Sequence, residues 1–438
     1  MAAGGGTALD VAGSHHSKWQ LPGPDGVKEG ERLYLQHPSE HPWRRWARYP
    51  AILLPAVLLG TAAWMQGAAP AGPANATKPA VRKNGARRVM DVAPAVRSRV
   101  SLRNLAPSRR APTRGPWRVP TYADSSEGDY TAGDDQIARR AAVDGLGEYN
   151  GAVVVADPNT GRVLTIVNQK LALRDGYQPC STVKVPVALA ALSEAVVERA
   201  TPIRVWGHPP LAMTEALAIS NNQYFASLGE KLGFERVKYY ARLYGLGEKA
   251  GLEIEGEQAG ILPAAPPRNG IGMMTSFGDG ISMTPLELAA LMGAVANGGT
   301  LYYLQYPRTR EEGENLIPRV KRHLDIEPLI PEIMPGISGA VEYGTARRIG
   351  FDAQHPIYGK TGTCTDSRSP THLGWFGSFI DRGGQRLVVT VLLTGAQGVS
   401  GPAAAGVAGN VYRNLDAAQY FASRHEQSPV ALVGNPAP

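Results

Sequence analysis

The sequence predicts an α+β fold: an antiparallel sheet covered by helices, with an all-helical subdomain inserted into it. Three observations predict it. Two strand-like runs, Gly151–Ala156 and Arg162–Val167, flank the turn sequence Asp157–Gly161. A long helix-rich stretch follows, from Ser181 to Asn297. Two further strand-like runs, Leu373–Ile380 and Arg386–Thr394, then precede a closing helical segment, Ala403–Tyr420. Strands at both ends of a helical block point to one sheet with the block inserted.

Taken from the N-terminus, residues 1–50 are polar and rich in Gly, His and Pro, and are expected to form a cytoplasmic tail. An apolar stretch runs from Ala51 to Met65 and stays uncharged to Pro70. As a helix it would extend about 22–30 Å, enough to approach or cross a bilayer. Arg44, Arg45 and Arg48 just before it set a cytoplasmic N-terminus, and Trp46, Tyr49 and Trp64 suit the interfaces. A buried core helix and a cleaved signal peptide are the alternatives. The Pro/Ala/Arg-rich sequence that follows argues against the first, and the 50-residue leader against the second. Residues 51–70 are therefore read as a single-pass anchor, with the remainder of the chain on the side away from the cytoplasm; the family resemblance given below implies that this is the bacterial inner membrane.

Residues 71–133 read as a disordered basic linker. Residues 71–120 alone hold 12 Lys/Arg against one acid, Asp91. That segment contributes +11 to a chain whose net charge is +7, so the rest carries −4. The basic balance describes the linker, which is a solvated spacer or is drawn to anionic lipid or cell-wall polymer. No basic face interleaved with aromatics marks a nucleic-acid binder. Two cysteines, Cys180 and Cys364, are too few for a disulfide scaffold, and the nine His show no metal-ligand spacing. Neither a metal nor another cofactor is expected.

The globular part is expected over 134–424, with a disordered tail at 425–438. Within it Gln136–Asp144 reads as a helix, and a second runs from Ser181 to about Arg199. Two helical stretches flank Ser220, the later one Gln223–Tyr244. Pro285–Asn297 is a helix stopped by Gly298 and Gly299.

Three short strings carry the chemistry: Ser181–Lys184 (S-T-V-K), Ser220–Asn222 (S-N-N) and Lys360–Thr363 (K-T-G-T). Singly, they read as a helix start, an interhelical turn and the end of an edge strand. Their order, with intervals of 39 and 140 residues, gives them a common meaning. Ser and Lys at i and i+3 share a helix face, so the amine lies beside the hydroxyl. At a helix start the Ser181 N–H is free of an intrahelical acceptor and suits an oxyanion. Pro186 falls in the first turn, where proline is tolerated. To act as a base Lys184 must lose its proton, and burial beside a second cation, Lys360, favours that. Ser220 is placed to relay a proton and Asn222 to hold a substrate amide. The Lys360–Thr363 strand offers backbone pairing, hydroxyls for a carboxylate, and a close approach at Gly362.

Around these strings the chain resembles the penicillin-binding transpeptidase family. Tyr177–Lys184 resembles its nucleophile segment, and Ala218–Phe225 with Tyr244–Gly247 its second block. Gly256–Gly260, Ser276–Gly280, Thr284–Leu288, Ala296–Thr300, Glu342–Ala346 and Gly359–Thr363 follow in the family's order over roughly residues 140–420. The resemblance implies the penicillin-binding/β-lactamase-like fold and a serine D,D-transpeptidase acting on D-Ala-D-Ala stem peptides of peptidoglycan and acylated by β-lactams. It implies Ser181 as nucleophile, Lys184 as base, and Ser181 and Thr363 N–H groups as the oxyanion hole. Ser220 and Lys360 complete the catalytic set, and Asn222, Thr361, Gly362 and Thr363 bind substrate. A membrane glycosyltransferase is the implied partner.

Some positions depart from the family. The Ser181–Ser220 interval is short, implying a trimmed helical subdomain and a more open cleft. Only about 50 ordered residues are expected before Ser181, which leaves no room for a glycosyltransferase or pedestal domain. The E-x-x-L-N string of class A β-lactamases is missing, and Asn222 stands where class D enzymes carry Val or Ile. Cys180 occupies a position where glycine is frequent, and Cys364 follows Thr363. In an oxidising periplasm the two either pair or remain small buried thiols. D,D-carboxypeptidase, β-lactamase and a non-enzymatic β-lactam sensor or divisome scaffold are the rival outputs of the same fold.

Overall fold

A computed structural model describes residues 117–396 and 398–425. The expected tail at 1–50, anchor at 51–70, linker residues 71–116 and C-terminal residues 426–438 lie outside the described residues. Among the described residues no helix is long and apolar enough to cross a membrane.

The chain runs α1 (Gln136–Leu146), β1 (Gly151–Ala156), β2 (Val163–Val167), α2 (Gln169–Ala172), then a 3-10 turn, Cys180–Val183, leading into α3 (Lys184–Ser193). The helical block continues with α4 (Met213–Ala218), α5 (Asn222–Leu232), α6 (Phe234–Leu243), α7 (Ile271–Phe277) and α8 (Pro285–Ala296). A small hairpin, β3 (Thr300–Tyr302) and β4 (Val320–His323), brackets α9 (Arg310–Glu314), and α10 (Ile330–Glu342) follows. The chain closes with β5 (Ile357–Thr365), β6 (His372–Arg382), β7 (Gln385–Gly395), α11 (Gly401–Ala417) and α12 (Tyr420–His425).

The main sheet has the order β2-β1-β7-β6-β5, every pair antiparallel. The N-terminal hairpin therefore docks on the C-terminal meander, with Ala152 opposite Leu392 and Val154 opposite Thr390. Side chains alternate across the strands. Val153, Val155, Val389 and Val391 meet α1 and α11 on one face. Ala152, Val154, Val388 and Leu392 pack with α8 and the helical block on the other. Residues Pro285–Val295 of α8 are all buried, which explains a sequence that is apolar throughout except for Glu287 in its capping box. Each fully buried Leu in this layer contributes about 1.5–3 kcal/mol.

The expected architecture is present, with three local differences. The helix expected over 223–244 breaks at Gly233, whose φ of +78° ends α5 and starts α6. The helix from the nucleophile segment stops at Ser193 rather than Arg199, and Ala195 at φ +50° turns the chain away. Residues 117–133, assigned on composition to the linker, are packed onto the sheet. Asn150 N–H donates to Thr121 C=O at 2.8 Å, Ser125 Oγ bridges Tyr149 C=O and Gly151 N–H, and Asp129 pairs with Arg139 at 2.8 Å. These are polar contacts between distant residues, which composition does not register.

Candidate active site

The three strings meet between β5 and the helical block. Cys180 has φ +51°, in the left-handed region, so the backbone turns sharply and delivers Ser181 at the start of the helical run. One turn later Lys184 is fully buried, with Nζ 2.9 Å from Ser181 Oγ. Pro186 lies in the first turn of α3, where its missing N–H costs nothing. Ser220 also takes a positive φ, +59°, between α4 and α5. Asn221 caps α5 by accepting the Tyr224 N–H at 2.9 Å. That cap leaves Ser220 and Asn222 directed at Lys184, whose Nζ lies 2.8 Å from Ser220 O, 3.1 Å from Ser220 Oγ and 2.6 Å from Asn222 Oδ1. From β5, Lys360 donates to Ser220 Oγ at 2.8 Å and to Thr361 C=O at 3.1 Å.

Burial, and then the charge of Lys360, lowers the Lys184 pKa to about 6. Burial alone lowers that of Lys360 to about 7. Lys184 Nζ has four oxygens within hydrogen-bond distance, while an ammonium has three hydrogens. Either protonation state serves three of the four and leaves the last to Lys360, and the lowered pKa favours the neutral amine. Two N–H groups donate to Ser220 C=O and Asn222 Oδ1, the lone pair receives the Ser181 O–H, and Ser220 Oγ is left to Lys360.

Strand alternation divides the third string. Lys360, Gly362 and Cys364 share one face of β5, and a Cβ on Gly362 would lie 2.9 Å from Pro179 O. The close approach expected at this glycine is therefore real. Cys364 forms a disulfide with Cys180, Cα atoms 5.5 Å apart, which fastens β5 to the nucleophile turn. Thr361 and Thr363 alternate to the other face. Thr361 Oγ1 lies 2.6 Å from Thr345 Oγ1. Exposed Thr363 accepts the Gly401 N–H at 2.7 Å, so the positive end of α11 points at this hydroxyl. Ser181, Lys184, Ser220, Asn222 and Lys360 thus form one hydrogen-bonded group, with Thr361, Gly362 and Thr363 on the strand beside it. Among the described residues no cluster of His, Cys, Asp and Glu is placed to hold a metal ion.

The strings did not identify several supporting contacts. Ser276 C=O lies 3.5 Å from Ser181 Oγ. Gln178 accepts the Ser367 N–H with its side chain, donates to Phe277 C=O, and takes the Trp375 indole N–H on its main-chain oxygen. Thr345 and Gly401 reach the strand from α10 and α11. The sequence did mark Tyr177–Lys184, Ser276–Gly280 and Glu342–Ala346 as segments, but a segment does not say which of its atoms points inward.

Residues 151–415 match the family model for the penicillin binding protein transpeptidase domain. Among curated proteins the chain is 30% identical over 286 residues to stage V sporulation protein D of Bacillus subtilis, covering 57% of this chain and 44% of that protein. It is 28% identical over 250 residues to the peptidoglycan D,D-transpeptidase FtsI of Escherichia coli, covering 47% of this chain and 42% of that one. The chain thus spans less than half the length of these relatives. A crystal structure of Pseudomonas aeruginosa PBP2 in complex with WCK 5153 shares the fold at a TM-score of 0.55 and 23% identity, over 69% of this chain and 78% of that one. With more than half of the chain matched by the family model, and with that fold, this chain belongs to the penicillin-binding protein transpeptidase domain family.

Proposed function

We propose that this chain is a membrane-anchored peptidoglycan D,D-transpeptidase that works through a Ser181 acyl-enzyme. The observation that carries the reading is the Ser181–Lys184 pair, a hydroxyl 2.9 Å from an amine whose pKa is lowered to about 6. Such an amine is largely neutral at pH 7 and is matched to general-base work. Ser181 Oγ attacks the carbonyl of the penultimate D-Ala as its proton passes to Lys184 Nζ. The tetrahedral oxyanion is met by the N–H groups of Ser181 and Thr363. As the C–N bond breaks, the departing D-Ala amine takes a proton relayed from Lys184 through Ser220 Oγ. An acceptor amine then attacks the ester and releases Ser181. Lys360, Thr361, Thr363 and the N-terminal end of α11 favour the substrate carboxylate, and Asn222 receives the substrate amide.

The relatives named as D,D-transpeptidases support this reaction class. The apolar segment 51–70 and the arginines before it support a single-pass anchor with the catalytic domain outside the inner membrane, and the Cys180–Cys364 disulfide suits an oxidising compartment. A membrane glycosyltransferase supplying glycan strands is the partner this role calls for.

The full chain and Ser181→Ala, incubated with fluorescent penicillin while label formation and decay are followed, test the reading. A long-lived adduct on wild type alone is the expected result. Fast decay with β-lactam hydrolysis would make the protein a β-lactamase, and an unlabelled wild type would remove Ser181 as the nucleophile.

A further inference from the structure

Thr345 lies outside the three strings yet touches both walls of the site. It follows α10 in the segment Glu342–Ala346. Its Oγ1 is 2.6 Å from Thr361 Oγ1 on β5, and its N–H donates to Ala218 C=O at 3.2 Å. Ala218 is the last residue of α4, two positions before Ser220. Gly344 allows this approach, because a Cβ there would overlap the Ala218 carbonyl oxygen. The Ser220 turn and the β5 strand are therefore joined twice, once through the Lys360–Ser220 bond inside the site and once through Thr345 behind it.

These two ties differ in chemistry. Lys360 and Ser220 sit in the path of proton transfer and substrate charge, so their bond changes character during turnover. The Thr345 contacts involve two neutral hydroxyls and a main-chain pair, none of which titrates or reacts. A tie of this kind keeps its geometry while the other is remade.

We propose that Thr345 is a positioning residue that holds the Thr361 hydroxyl, and through it the Lys360–Thr363 strand, at a fixed distance from the Ser220 turn. The inference rests on the reading above that Ser181 is acylated and that β5 is the substrate-binding wall. Thr345→Val keeps the shape and the main-chain bond to Ala218 and removes only the hydroxyl, whereas Thr345→Ser keeps the hydroxyl.

The test is the acylation time course of the full chain across fluorescent penicillin concentrations, with melting temperatures measured alongside. Thr345→Val is expected to lower the second-order acylation constant about tenfold, and Thr345→Ser to stay within about twofold of wild type. If Thr345 acts through Thr361, the double variant Thr345→Val/Thr361→Val will be no slower than Thr361→Val alone. Thr345→Ala carries the same expectation should valine not be tolerated. Three outcomes overturn the proposal: a Thr345→Val rate equal to wild type, losses that multiply in the double variant, or a serine variant as slow as valine. An unlabelled wild type fails the acyl-enzyme reading itself, a result distinct from these three, and the role for Thr345 fails with it.

Discussion

Among the described residues, two of the places that bury ionisable side chains use them differently. Lys184 and Lys360 are 0% and 1% exposed, and Glu287 at the start of α8 is 1% exposed. Burial drives each toward its neutral form, lowering the lysines to about 6 and about 7 and raising the Glu287 carboxyl to about 7. Four backbone N–H groups oppose that drive at Glu287. Gly247, Glu248 and Gly260 donate to Oε1, and Thr284 donates to Oε2 within a capping box. These main-chain partners stitch the loop over 247–260 to α8, and a substrate has no means of displacing them. The lysines are held mainly by hydroxyls and an amide side chain, which can exchange partners with a ligand. A buried charge alone does not mark reactivity; exchangeable partners around it do.

The largest effect that would sharpen this contrast is chemical. Lys184→Met is expected to slow acylation by about a thousandfold or more, the worth of a positioned general base, while leaving the protein folded. Stopped-flow acylation and a thermal melt together check it. A Lys184→Met variant that still acylates within tenfold would place Lys184 with Glu287 as a structural group. The converse variant, Glu287→Ala, strands four backbone N–H groups, two buried and two half-buried, and is expected to cost about 3–4 kcal/mol of stability. Acylation by the fraction that remains folded should change little, and a large loss of intrinsic rate would break the division between the two sites.

The disulfide lies between these cases, because it is structural by chemistry and adjacent to Ser181 by position. Its ends are 184 residues apart, so Cys180→Ala/Cys364→Ala is expected to cost up to about 5 kcal/mol through the freed unfolded chain. Gln178 still ties the nucleophile turn to Ser367, just past β5, and to Trp375 on β6 in that variant. Acylation should therefore fall less than tenfold. Denaturant melts and labelling rates on one preparation separate the two effects.

Much of this contrast was legible in the sequence, and unevenly so. Ser181 and Lys184 were readable because helical spacing by itself places them together. The five strands of the main sheet were readable because β-branched runs such as Gly151–Ala156 and Arg386–Thr394 announce themselves. The hairpin of β3 and β4 was missed, since its strands are three and four residues long and carry no alternating pattern. Helix α10 has no counterpart in the sequence reading: two prolines interrupt its pattern, one in the first turn and Pro335 within a helix packed along Ile333, Ile337, Ala340 and Val341. Thr345 and Gln178 were invisible as individuals. Their roles depend on hydrogen bonds to residues 16 and 189 positions away, and no local pattern encodes such contacts.

The smallest predicted effect concerns pH, and it tests whether the two lysines are electrostatically coupled as their burial implies. On the proposed mechanism Lys184 accepts the Ser181 proton only when neutral, so acylation should rise with pH through about 6. On the same reading Lys360 favours the ligand carboxylate only when charged, so the second-order constant should fall again as pH passes about 7. The free-enzyme profile is then a narrow bell. Lys360→Met removes a cation that disfavours protonation of Lys184, so the Lys184 pKa rises and the acid limb moves to higher pH, while the alkaline limb disappears. Acylation constants measured from pH 5 to 9 in both proteins, at fixed ionic strength, give the comparison. An acid limb that stays in place in Lys360→Met would mean that burial alone tunes Lys184, and the two cations would then act as neighbours rather than as a coupled pair.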